Sequence, residues 1–361
     1  MSSILTNTSA MTALQTLKTI NSDLAKTQDM ISTGKKIATA KDNASIWAVS
    51  KVMGSDVAGF QAISESLSLG NSTVSVARQG AETVTDLLEQ MKGRIVAAQE
   101  DAVDRTKIQT DIEALRDQID SVVSAAQFNG QNLISNRSAT AGEGEVDILS
   151  SLDRSDGGVA PASITVTKSD LGTTAAAADT AATTGAATAG AVAAGATADF
   201  YDAAGAGDGE SFAITGIAGN ALANEIIYNR RANETAEQTA YALAARLNFA
   251  TAEAGVDVSF SVEGTTIRAT NFGDTDVTID GGDLATGGAV GAGGTIGGSL
   301  GLLQSFDVTT DQGAEAALRG VEDLIQISIN AASSFGSEQR RIETQQDFVS
   351  GLTDALKTGI G

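Results

Sequence analysis

From Ile46 to Ile95 every seventh residue is apolar: Ile46, Met53, Phe60, Leu67, Val74, Ala81, Leu88 and Ile95. A second seam, Ile63, Gly70, Ala77, Val84, Met91 and Ala98, runs three residues behind it. Two seams offset by three form the a/d pattern of helices that wrap around partners. The spacing predicts one unbroken helix of roughly 80 Å at ~1.5 Å per residue, with Asp42 or Asn43 as its N-cap. A helix of that length cannot bury its own stripe, so other helices must run along it.

Two segments have the matching period. Residues 104–126 repeat Ile108, Ile112, Leu115, Ile119 and Val122, with Asp104 placed to cap. Near the other end Val321, Ser328, Phe335, Ile342, Val349 and Leu356 recur every seven residues. Their second seam is Leu318, Ile325 and Ala332, and Thr309 and Gln312 ahead of it have capping-box spacing. The expected rod core is therefore Ile46, Met53, Phe60, Leu67, Val74, Leu88, Ile95, Ile108, Leu115, Ile119, Val321, Phe335, Ile342 and Val349. Because these helices lie at opposite ends of the chain, the ends must pack together and the middle must grow out from them.

Residues 1–33 carry a further apolar face, Leu14, Leu17, Ile20, Leu24 and Ile31, before Gly34-Lys35-Lys36 breaks the pattern. No segment of matching length remains in the chain to cover it. An amphipathic helix without an internal partner is expected to pack on another subunit.

The middle differs in composition. Residues 136–305 hold 26 of the 39 glycines and the single proline, and carry 7 basic against 21 acidic residues. A Thr/Ala/Gly tract at 172–199 reads as loop. Segments 210–218 and 224–231 alternate like strands, 234–250 has helical spacing, 256–271 reads as a hairpin turning near Gly264, and 277–280 as a short strand. Residues 287–301 read as a glycine-rich return linker. The fold class expected is mainly α with an inserted α+β domain: a long antiparallel coiled-coil rod from both chain ends, and a β-rich outer domain between them. The borders expected are 1–41 for the N-terminal helix and its break, 42–140 for the rod helices and a hairpin, 141–305 for the insert and 306–361 for the C-terminal rod helix.

Composition removes most chemistry. With no His and no Cys, zinc–sulfur sites, thiolate nucleophiles and imidazole bases are absent. The pairs Glu143/Glu145 and Asp274/Asp276 sit near loop glycines, with no apolar pocket to split their pKa values. Residues 273–283 alternate acids without the terminal bidentate Glu of a Ca²⁺ loop, and no glycine run ends in the Lys-Ser/Thr of a phosphate loop. Trp47 reads as a packing residue. No catalytic, cofactor or metal site is expected, and the chain reads as no enzyme. A net charge of −22 disfavours nucleic acid and anionic membrane as partners. The N-terminus lacks the basic start and apolar core of a cleaved signal, and no stretch is apolar enough to insert in a bilayer.

The N-terminal residues Ser32-Thr33-Gly34-Lys35 and Ala40-Lys41-Asp42-Asn43-Ala44-Ser45-Ile46-Trp47-Ala48 resemble those of bacterial flagellin. AAQFNGQNLI at 125–134 is similar to the family's segment where a second helix gives way to a hairpin, and Gly336 to Glu343 to its C-terminal rod helix. The resemblance implies a filament subunit, exported unfolded through the flagellar type III channel to the cell exterior. It implies self-assembly as a helical homopolymer, an export chaperone and a filament cap as partners, the N-terminal helix inside the tube and the insert on its surface. A hook–filament junction protein and a surface adhesin acting through the middle domain are the alternatives.

Two features depart from the family. Flagellins close with a second amphipathic helix, whereas this chain stops at KTGIG (357–361), so that helix is expected to be absent. The pattern read by the vertebrate Toll-like flagellin receptor is also broken, with Gln90, Gly93 and Arg94 where its Arg, Glu and Leu would stand; receptor recognition is not implied.

An isolated amphipathic helix is marginal in water because nucleation is costly. Hydrogen exchange on the free chain should therefore be complete within seconds before Gly34 and strongly retarded from Phe60 to Ile95. Retarded exchange at residues 10–30 of the monomer would mean that the first helix has an internal partner.

Overall fold

The computed structural model describes residues 8–100, 102–140, 142–155, 158–176, 190–279, 284–289 and 296–360. Among these residues, α-helices span Thr8–Thr33 (α1), Ala44–Ala97 (α2), Arg105–Ala125 (α3), Ala236–Glu253 (α4) and Asp311–Ile360 (α5). The chain divides into two compact units. One gathers Met1–Ser68, Leu149–Ala162 and Thr344–Gly361; the other gathers Leu69–Ile148 and Ser163–Glu343.

In the second unit α2 and α5 run antiparallel, as contacts that climb α2 descend α5. Arg78 Nε donates to Gln339 Oε1 at 3.0 Å, Thr85 and Ser328 share a hydroxyl hydrogen bond at 2.9 Å, and Lys92 pairs with Glu322. The predicted seams supply the core: Val74, Ala77, Ala81, Val84, Leu88, Met91 and Ile95 are all at most 1% exposed. From α5, Val321, Ser328, Phe335 and Ile342 are buried. From α3, Ile112, Ile119 and Val123 are buried, while Ile108 and Leu115 are only half-buried. Gln109 holds the entry to α5, donating to Phe306 O (3.1 Å) and accepting from Val308 N (3.0 Å).

In the first unit the seam thins. Met53 and Phe60 are half-buried and Ile46 is 53% exposed. The physical reason is coverage: a Cβ on Gly359, in the last turn of α5, would lie 3.8 Å from Met53 Sδ, and Ile46 stands ~10 Å further along α2. Ile46 is therefore no core residue within the chain, although it keeps the period.

The caps also refine the sequence reading. Asn43 Oδ1 accepts from Ile46 N (3.1 Å), whereas Asp42 turns back to Thr39. Thr310, not Thr309, caps α5 by accepting from Gly313 N at 3.0 Å, and Gln312 reaches across to the carbonyl of Ala252. Asp104 makes no side-chain cap bond and pairs with Lys107 instead.

A short hairpin, β1 (Gln127–Phe128) and β2 (Gln131–Asn132), follows α3. Its turn at Asn129 and Gly130 has positive φ at both residues, which suits the Asn-Gly pair. Next come β3 (Glu145–Ser155) and β4 (Gly158–Thr167), a hairpin that the sequence reading left out. The compact units also assign its far part, Leu149–Ala162, to the unit that holds the ends of α2 and α5, so the expected border at 141 does not coincide with a unit border.

The remaining strands are β5 (Gly190–Val192), β6 (Thr197–Asp202), β7 (Glu210–Ile217), β8 (Asn220–Asn229), β9 (Val258–Glu263), β10 (Thr266–Asn271), β11 (Val277–Ile279) and β12 (Ala285–Ala289). They form antiparallel sheets ordered β6-β10-β9, β12-β7-β8 and β11-β5. The helix α4, buried along almost its whole length and closed by a Thr235/Gln238 capping box, packs on β9 and the β7–β8 hairpin. The expected strand–strand–helix–strand–strand order is present, with β5, β6 and β12 added. Of the Thr/Ala/Gly tract residues 177–189, and of the return linker residues 290–295, lie outside the described residues.

Small residues on α2 admit the hairpins. A Cβ on Gly70 would lie 2.5–2.9 Å from three side-chain carbons of Ile148, and one on Gly80 would lie 2.9 Å from Ile134 Cδ1. Gly93, on the same helix, has open space. Helix propensity alone favours Gly→Ala by ~1 kcal/mol, while overpacking costs ~1–3 kcal/mol. Gly93→Ala should therefore stabilise the chain by ~0.5–1 kcal/mol, and Gly70→Ala should destabilise it by ~1–2 kcal/mol. In urea melts, a second change, Ile148→Ala, should cost less in the Gly70→Ala background than in the wild type.

Candidate assembly surface and the anchor of the insert

The face predicted on α1 is present and uncovered. No residue of α1 is buried; Leu14, Leu17, Ile20, Leu24 and Ile31 are 56–77% exposed, and Met11 extends the same face. The face exists because these residues recur at helical spacing. Threonines between them, Thr12, Thr16, Thr19 and Thr27, return their hydroxyls to carbonyls one turn back. The structure thus brings the five predicted residues to one helix and gives them no cover among the described residues.

The residues at the broken receptor pattern divide between two environments. Met91 and Ile95 are buried in the helix core, while Lys92 pairs with Glu322 and Arg94 approaches Asp111 at 3.7 Å. Asp274, Asp276 and Glu143 stay in loops, while Glu145 opens β3; Asp276 accepts from Ala194 N at 3.1 Å and Glu143 accepts from the Ser138 hydroxyl. Residues 280–283 of the Ca²⁺-like loop lie outside the described residues. Among the described residues, no group of three acidic side chains is placed to hold a metal ion.

Sequence reasoning missed a buried charge cluster where the insert joins the helices. Arg231, 2% exposed, has Asp170 Oδ2 and Glu234 Oε2 each at 3.3 Å, and donates to Gly297 O. Tyr228 donates its hydroxyl to Glu234 and lies between two guanidinium groups, Arg231 at 5.5 Å and Arg246 at 4.7 Å from the ring centre. Arg246 donates to Ala242 O (2.8 Å) and reaches the carbonyls of Gly298 and Ser299. Asp170 also accepts from the backbone N–H groups of Asn136 (2.9 Å) and Ser299 (2.9 Å). One carboxylate therefore ties together the segment leaving the helices, the turn before α4 and the returning chain.

Burial opposes the charge on Arg231, but Asp170 and then Glu234 more than offset it and hold the guanidinium above its usual pKa. Burial pulls Arg246 down to about 10, so it stays cationic at neutral pH. Tyr228 is pushed well above 10, first by burial and then by the Glu234 charge.

The outgoing and returning chains run side by side at this point. Gly298 N donates to Thr174 O (2.8 Å) and Leu300 N to Gly172 O (3.1 Å). A Cβ on Gly298 would fall 1.7 Å from Gly172 O, which only glycine avoids.

Residues 4–139 match the bacterial flagellin N-terminal helical region. The whole chain aligns with 89% of flagellin D of Rhizobium meliloti at 30% identity. This chain belongs to the bacterial flagellin family. Half of it also aligns with 67% of flagellin FljK of Caulobacter vibrioides, at 38% identity. Among solved structures, FliC of Burkholderia pseudomallei covers 75% of this chain and is itself covered to 99%, at 13% identity and a TM-score of 0.35. As a flagellin, the chain is a structural subunit of the flagellar filament, the polymer of motility. The flagellin helices supply the core and the charge cluster fixes the insert on it.

Removing one member of a buried charge set leaves the others unpaired, at ~3–5 kcal/mol. Arg231→Ala should thus destabilise this flagellin by that amount in equilibrium denaturation at pH 7. Arg231→Met with Asp170→Asn and Glu234→Gln should recover most of the loss, and failure to recover any would mean that packing, not unpaired charge, dominates.

Proposed function

We propose that this flagellin polymerises by burying the α1 face, Leu14, Leu17, Ile20, Leu24 and Ile31, between copies. The observation that carries the reading is that all five are at least 56% exposed on a helix with no buried residue. A continuous apolar face of this size is unfavourable in water, and a second copy of the same face removes both from solvent. By family resemblance α1 lines the inside of the tube, the α2–α3–α5 helices form the wall and the insert is displayed outside. The subunit is secreted through the flagellar export pathway, with an export chaperone and the filament cap as its transient partners. Its role is mechanical, without chemistry. The charge on the insert keeps displayed surfaces soluble.

Leu17→Asp with Leu24→Asp tests the reading. Because neither side chain is buried in the free chain, the variant should keep its circular dichroism and melting temperature. In a seam between copies each carboxylate would cost several kcal/mol, about 2–7 for an uncompensated polar group, so sedimentation should show no filaments. Filaments of normal length from the double variant would sink the assignment.

A further inference from the structure

Asp323 on α5 is half-buried, and Asn248 of α4 donates to its Oδ2 from Nδ2 at 2.7 Å. The same amide serves β9: Nδ2 also donates to Phe260 O (2.9 Å), and Oδ1 accepts from Phe260 N (2.6 Å) and the Ser259 hydroxyl (3.4 Å). Asn248 is 6% exposed. One buried amide thus fastens β9 to α4 and α4 to α5.

No cation answers Asp323 among the described residues. On α5, Arg319 is committed to Glu315 (2.8 Å) and to Val258 O of β9 (3.4 Å), and the adjacent Glu322 pairs with Lys92 of α2. From α4, Arg246 points to the carbonyls of Ala242, Gly298 and Ser299. From β9, Glu263 pairs with Arg268 at 2.6 Å. Asp323 therefore meets only a neutral amide donor and a neighbouring carboxylate.

We propose that the Asn248–Asp323 contact is a proton-operated latch that holds α4 and β9 on α5 more firmly when the Asp323 carboxyl is neutral. A carboxylate taken out of water without a cation loses hydration that one amide hydrogen bond does not replace. The neutral acid keeps an oxygen to accept from Asn248 and avoids that cost. Burial pushes Asp323 up to about 6; the Asn248 hydrogen bond opposes this and Glu322 adds to it. The native chain therefore binds this proton more tightly than the unfolded chain, whose Asp titrates near ~3.9. The stabilisation is complete below that value, declines as pH rises through about 6 and is gone above it. Comparison with Asp323→Asn separates this carboxyl from the other acids of the chain.

The Phe260 amide reports the latch directly, since it donates to Asn248. Hydrogen exchange on the full chain, corrected for intrinsic rates, should show its protection falling roughly 10- to 100-fold between pH 4.5 and pH 7.5. Asp323→Asn should abolish that fall and keep protection at the acid level throughout. A wild-type profile without the fall, or an Asp323→Asn profile with the same fall, would overturn the latch. Carbon NMR of the Asp323 carboxyl in the wild type decides without any variant: a midpoint near 6 supports it, and one near 4 rejects it.

Discussion

A stripe that runs the length of a 54-residue helix has to be covered, and everything else in this flagellin follows from how. Each fully buried Leu, Ile or Met contributes ~1.5–3 kcal/mol, and α2 buries Ile63, Leu67, Leu88, Met91 and Ile95, with smaller residues filling the seam between Leu67 and Leu88. Only another helix of similar length can cover that seam, and α5, from the opposite end of the chain, is that helix. Pairing the two ends forces the residues between them to leave the bundle and come back to it. The insert is thus a topological consequence of the seam, free to vary in content as long as its entrance and exit meet.

That meeting point is where the chain is least tolerant. Gly298 passes so close to Gly172 O that any side chain would overlap backbone, which cannot rotate away as a side-chain tip can. Around it, Asp170, Arg231 and Glu234 put charge into a place with almost no solvent. Buried ion pairs are poor sources of net stability because desolvation consumes much of the attraction. They are good at rejecting alternatives, since any other arrangement leaves a charge unpaired. For an insert with three times as many acids as bases, a fixed cationic pair at its base also sets which carboxylates turn inward.

What the sequence made legible follows from range. The seams of α2 and α5 repeat over many turns, so a few irregular positions do not hide them. Along β3 the inward positions Ile148, Ser150 and Leu152 are interrupted by a serine, and β4 adds only the short pair Ile164 and Val166 among the described residues, so no period builds up. Its seat on α2 is equally silent, because Gly70 reads in sequence as a weak helix residue and only in space as the notch for Ile148. Arg231 was invisible for a different reason. In Asn229-Arg230-Arg231-Ala232 it reads as the polar end of a strand, and its partner Asp170 lies far back in the chain, before the Thr/Ala/Gly tract. Pattern identifies faces that a chain must bury; it does not identify charges that the chain chooses to.

The limit of periodicity shows most plainly within one pattern. Ile46 and Ile95 hold the same heptad position, yet one is 53% exposed and the other fully buried. Leu17 and Leu24 keep an equally regular spacing on α1 and stay exposed throughout. The period states which residues share a face, and the free energy of that face is the same wherever it lies. What differs is supply: α5 brings seam residues to the middle of α2, and nothing among the described residues brings them to α1. In a monomeric protein such a face would be a liability. On the proposed reading, a second copy of the subunit would cover it, and assembly would draw on the same hydrophobic effect that folds the core.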